Sequence, residues 1–445
     1  MRPTLRVLTL AIFSVLLGRL SLAASYNTVH VWESASSSNA LNFDNLAYSE
    51  TTHDLIITGN AGFYDRIIAF SSWTTEGIGS TSMVQIKPTG YKNCSSFRPG
   101  FLKDSEYQDY RYLTFLCVPN QGGFSDLFVV RLNSDGTMDQ YVIFSSAGGN
   151  NSSTPQFAPT AFLESTIVLP LLFGTYQFVV LTGDLQVKYQ ISPSVPVTTT
   201  SIAPLDQPDS FAIGGASYSN GAIITVDANG TITKQIQFPN GSIVESVGAS
   251  EGVIHACVSN VFNRTIESIL VKADDLTIIN STEDYFNNTG LMICLASSGT
   301  YTYTKTYEQQ SWIFDTQGQS GSFTESEFSV EGSETSLIHS TSILVDDGSY
   351  LLEVGATHGS IIAGFVAINL SNSGNGTQFS PAPSAFELLQ APSTSDLAAT
   401  WQKSNQVTGA KITRGNTNFI SDVNFDTQGI NVLNPPSTYM DFLNQ

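Results

Sequence analysis

Apolar positions along this chain fall in short runs, and the runs come in pairs. Leu55–Gly59 is followed by Asp65–Phe70, Tyr112–Val118 by Leu127–Leu132, and Thr166–Leu172 by Gln177–Leu181. Phe211–Ala216 precedes Ala222–Val226, Val253–Val258 precedes Ser268–Lys272, Leu291–Ala296 precedes Ser311–Phe314, and Tyr350–Gly355 precedes Gly364–Ile368. Runs this short, separated by Gly, Asn and Ser, predict strands joined as hairpins. Beyond the N-terminal segment a helical period is suggested only over a short turn near Ser384–Gln390.

The hairpins repeat. Anchored at Ile67, Phe128, Phe178, Ile223, Ile269, Trp312 and Phe365, the second strands lie 61, 50, 45, 46, 43 and 53 residues apart. Turns such as Asn133-Ser134-Asp135-Gly136 and Asp227-Ala228-Asn229-Gly230 follow them, with Gly and Asn where positive φ is needed. A third strand follows, as in Thr137–Phe144 and Thr231–Phe238. A period near 50 suits a four-stranded propeller blade. A β-sandwich would also supply many short strands, but seven hairpins at one period favour the propeller. The segments Asp126–Thr137 and Ala222–Thr231 resemble the repeat of extracellular β-propeller-repeat proteins, over about residues 45–380. That resemblance implies a fold, and propellers host many functions. The expected architecture is all-β, a seven-bladed β-propeller over residues 24–380 with a C-terminal strand-containing extension.

After Gly374 the pattern changes. Pro381, Pro383 and Pro392 mark residues 381–392 as a linker. Residues 393–445 carry strand-like pieces at Ala410–Thr413, Phe419–Val423 and Ile430–Leu433. They either pack on their own propeller or add to a neighbouring molecule and build a filament. The Thr28–Glu33 run is a candidate closing strand for a blade.

Residues 1–23 read as a secretory signal: Arg2 and Arg6, an apolar run from Val7 to Leu17, then Ser21-Leu22-Ala23 for cleavage. Its removal takes three of the 18 cations and moves the net charge from −20 to −23. No later run is long enough to span a bilayer, so the expected protein is secreted, with no transmembrane anchor. Asn-x-Ser/Thr sequons at Asn93, Asn150, Asn151, Asn229, Asn240, Asn263, Asn280, Asn287, Asn369 and Asn375 fit that route. So acidic a chain repels phosphate backbones, which excludes nucleic acid as a partner.

The exported route favours disulfides among Cys94, Cys117, Cys257 and Cys294. Cys94–Cys117 would be local, and Cys257–Cys294 would join equivalent strands of adjacent blades. The alternative is that Cys117, Cys257 and Cys294 are small buried residues. All three fall at one register of the first hairpin strand, where other units carry Gly59, Gly215 and Gly355. That position is expected to be small because the strand lies near the propeller axis. His255 and Glu353 fall two residues earlier, where other units have Ile57, Phe115, Ile213 and Met292. They are the only candidate catalytic residues, and a satisfied, partly buried polar pair or a wet channel lining is the plainer reading. His30, His53, His339 and His358 show no partner spacing. Nucleophile-elbow, phosphate-loop, zinc-protease and Cys/His zinc motifs are missing from the sequence. Asp274-Asp275 and Asp346-Asp347 lack calcium-loop spacing, so no cofactor is expected, calcium on the acidic surface alone being left open.

Two functions are weighed. One is a non-enzymatic extracellular structural or adhesive glycoprotein, self-assembling through its extension, with protein or glycan partners that include copies of itself. The other is a carbohydrate-active hydrolase or lyase with its site at the propeller channel.

Overall fold

The computed structural model describes residues 27–33, most of 41–369, and 410–416, 419–425 and 432–433. Side chains are described mainly between residues 43 and 283. The signal segment and the 381–392 linker lie outside the described residues. So do the sequons at Asn150, Asn151, Asn287 and Asn375, and the side chain of Asn369.

The described strands form seven sheets, each built outward from an inner strand. Six run in simple chain order: blade I over residues 41–88, II over 91–144, III over 156–191, IV over 198–240, V over 242–285 and VI over 292–329. Blade VII takes three strands from residues 337–369 and its next strand from the N-terminus, Asn27–Glu33, antiparallel to Ile362–Asn369. Blade VII therefore packs beside blade I, and the ring is sealed by the two ends of the chain. Strands feed into neighbours by short turns, and the inner strands of consecutive blades face one another. The fold is an all-β propeller.

The core lies between blades, because each middle strand buries both faces. In blade I, Leu55 and Ile57 pack on Leu352, Val354 and Phe365 of blade VII. On its other face, Ile56 packs with Leu113, Phe115 and Phe128 of blade II. Such strands read as near-continuous apolar runs, which is why the hairpins stood out in the sequence. The first hairpin strand of most units is thus the second strand of a blade, one strand removed from the axis. The sixth unit differs: Met292–Ala296 is an inner strand, and the unpredicted strand Thr302–Glu308 separates it from Ser311–Gln317.

The extension contributes three strands, each added parallel to an outer edge. Ala410–Asn416 lies along the N-terminal strand in blade VII, Phe419–Phe425 along Ser82–Pro88 in blade I, and Val432–Leu433 along the outer strand of blade II. The tail strands thus pair with the edges of three consecutive blades.

Candidate functional site

The inner strands converge on a cavity of about 440 Å³ at the end where they turn into the second strands. Six inner strands reach it. Its walls are mixed: Leu46, Leu102, Phe162, Ile202, Val247 and Ile343 alternate with Ser49, Thr51 and Thr160. Glu50 and Lys103 supply the charged groups at its edge. Tyr48 also lines it, and its hydroxyl lies 2.7 Å from Nδ1 of His53 across the first turn of blade I. His53 therefore has a partner that linear spacing concealed.

Below the cavity the inner strands share an irregularity. The ladder to the second strand slips between Phe43 and Asn45, between Thr199 and Ser201, and between Val244 and Ser246. A bulge leaves one residue unpaired and re-aims its side chain. Those residues are Asp44, Thr200 and Glu245, and each is satisfied sideways. Asp44 accepts from Thr58 Oγ1 (3.0 Å) and from Arg66 Nη1 (2.7 Å). Thr200 donates to the carbonyls of Gly214 and Val244. Glu245 accepts from Ser259 Oγ at 2.5 Å, and burial pushes its carboxyl above the usual range. Arg98, on the inner strand of blade II, donates to Asn45 Oδ1 at 2.8 Å. Burial lowers its pKa, and the nearby Asp44 charge opposes that. This polar belt had no sequence signal, because a bulge is set by the pairing of two strands.

Gly59 and Gly215 sit opposite the slip, and a side chain at Gly215 would collide with the carbonyl of Thr198. At Gly215 the constraint is therefore the bulged neighbour strand, although the bulge alone does not require a small residue. In blade V the residue opposite the slip is Val258, so Cys257 and His255 are one position out of the expected register. A slip of one turns a side chain to the other face. Ile254, Ala256 and Val258 pack toward blade IV. His255, between two of them, is 2% exposed, with Nε2 2.9 Å from Ser268 Oγ of its own blade. It is a buried histidine with a hydrogen-bond partner and does not line the cavity. Glu353 lies on the second strand of blade VII, two blades away. Its side chain lies outside the described residues.

Cys94 and Cys117 form a disulfide between the inner and second strands of blade II. Cys257 is also disulfide-bonded, and the side chain of Cys294 lies outside the described residues. Asn93, Asn229, Asn240, Asn263 and Asn280 are all exposed. Among the described residues, no group of three or more His, Cys, Asp and Glu is placed to hold a metal ion.

No protein-family model matches the chain, and no curated protein does. Solved propellers resemble it. The Dos1 propeller is 9% identical over 76% of this chain and 95% of that chain, with a TM-score of 0.44. The Cps50 (Swd1) β-propeller domain of Myceliophteria thermophila is 16% identical over 75% and 98%, with a TM-score of 0.45. Polysaccharide lyase Uly1 is 10% identical over 77% and 99%, with a TM-score of 0.44. Likeness at this level concerns fold alone, and the propeller class rests on the sheet topology described above.

Proposed function

We propose that this chain is a secreted, N-glycosylated, non-enzymatic propeller with a structural or adhesive role outside the cell. Copies of it join through the C-terminal extension. The observation that carries the reading is how the extension attaches: three short strands, each paired to the edge of a different blade. Edge pairing uses backbone groups, so the same edges of a second copy offer the same attachment. Residues 370–409 separate the last propeller strand from the first tail strand. Fully extended, that connection spans on the order of 130 Å, enough to reach a neighbour. The exposed sequon asparagines and the disulfides support the exported route. The hydrolase or lyase reading loses His255, whose ring is buried away from the cavity.

The test is expression from a eukaryotic secretory host. Secreted protein should lose mass on endoglycosidase treatment and run as oligomers whose size grows with concentration. Deleting residues 393–445 should leave a folded monomer. A full chain that stays monomeric at every concentration, or a truncated chain that still assembles, removes the assembly reading. An unchanged mass removes the glycoprotein reading.

A further inference from the structure

The face opposite the cavity carries two large aromatic residues that folding does not account for. Both lie in the connection from the second to the third strand, in the adjacent blades IV and V. Tyr218 is 87% exposed and Phe262 is 71% exposed. Tyr218 is the first residue of a two-residue hairpin loop, since Ser217 pairs with Asn220. Its φ is 57°, a left-handed conformation that such loops normally give to Gly or Asn. A bulky residue there is strained and shows its ring to water, and strain of this kind gathers at ligand sites. Phe262 is held differently but as firmly. Asn260 Oδ1 accepts from the backbone N–H groups of Phe262 and Asn263, both at 3.0 Å, while its Nδ2 donates to Ser242 Oγ. The ring lies over Gly241, where a Cβ would strike it. Both aromatics are therefore pre-positioned, which reduces the ordering cost of binding.

We infer that this face binds a neutral polysaccharide, with Tyr218 and Phe262 as stacking platforms. A protein partner would call for a contiguous apolar patch, whereas here single rings alternate with polar residues such as Ser219 and Asn220. Two rings on adjacent blades, flanked by amides and hydroxyls, match a ligand that itself repeats. A pyranose presents an apolar C–H face to stack on a ring and hydroxyls for the polar groups beside it. The net charge of −20 selects against uronic or sulfated chains.

The partner class rests on the extracellular reading above. The test is depletion of the full-length secreted protein by insoluble cellulose, chitin and β-1,3-glucan. At least one should retain the wild type, with little dependence on salt. Tyr218→Gly and Phe262→Ala should each weaken retention roughly five-fold or more, and the double variant should abolish it. Tyr218→Gly should also raise Tm, because glycine relieves the positive φ, so its loss of binding cannot be misfolding. Trimming the N-glycans should not lower retention, which separates the ligand from the chain's own sugars at Asn240 and Asn263. Retention on none of the three, capture of a protein by this face instead, or equal retention of the double variant overturns the inference. A glycosylated, tail-assembled protein that ignores all three polysaccharides overturns it while leaving the proposed function standing.

Discussion

Two carboxylates at blade boundaries respond to pH in opposite directions. Asp209 accepts from the Ser165 amide (3.0 Å) and hydroxyl (2.7 Å), from Thr166 Oγ1 (3.1 Å) and from Lys188 Nζ (3.0 Å), tying blade IV to blade III. Burial works to raise its pKa, but these donors outweigh it and hold the carboxyl below the usual range. Its folded pKa lies below its unfolded one, so its contribution is present at neutral pH and is lost as pH falls through the folded value. Glu245 has one hydroxyl donor against a larger cost of burial, and its pKa is raised. Its charged form is disfavoured in the fold, so stability is lost as pH rises through the folded value. Asp209→Asn should therefore destabilise by roughly 1–2 kcal/mol at pH 7 and by progressively less in acid. Glu245→Gln should stabilise by about 1 kcal/mol at pH 7, an advantage that fades at lower pH as Glu245 protonates. Urea unfolding of the two variants at several pH values checks both signs. The same slope for both variants contradicts the assignment.

At the scale of the strand, Gly215 shows what one inner-strand bulge demands. It faces the Thr198 carbonyl where the ladder slips, and the φ of this residue is ordinary, so space is the whole constraint. Gly215→Ala should cost about 1–3 kcal/mol by overpacking, measured as a lower urea midpoint at constant m-value. A neutral result would mean that the bulge yields. The same position shows how much of the molecule could be read from its sequence. Middle strands were legible because both of their faces are buried and the apolar run is continuous, as in Phe211–Ile213 and Ile254–Val258. Inner strands such as Ser242–Ser250 mix polar and apolar residues around a bulge, and they escaped notice. The alignment of units then slipped by one at His255 and Cys257. Pairing register depends on the partner strand, and one extra residue in that partner is invisible along the chain. The candidate site suffered most from this. The cavity wall comes from inner strands and the turns that follow them, and Tyr48 and His53 meet only because a hairpin folds back.

The whole ring depends on one seam. Blades II and III are tied by Arg131, whose guanidinium lies 2.6 Å from both Asp139 and Asp184 and stacks over Tyr110. Arg111 reaches Asp54 in blade I, and Asp209 ties blade IV to blade III. Blade VII has no such internal continuity, because its fourth strand comes from the other end of the chain. That strand is also interior to its sheet: it pairs antiparallel with Ile362–Asn369 on one side and parallel with Ala410–Asn416 on the other. Joining chain ends costs loop-closure entropy over the full length of the propeller, so this seam should be the first place the ring opens. Native-state hydrogen exchange should show lower protection in blades VII and I than in IV and V. Val31 pairs with Gly364 and with Arg414. Val31→Pro removes a ladder donor and cannot be accommodated in an interior strand. It should release both the N-terminal strand and the tail strand that rests on it. The expected result is near-complete loss of protection in residues 350–369, with residues 211–226 largely unaffected just below the unfolding temperature. Uniform loss of protection around the ring would instead mean that the propeller opens as a single cooperative unit and the seam has no special weakness.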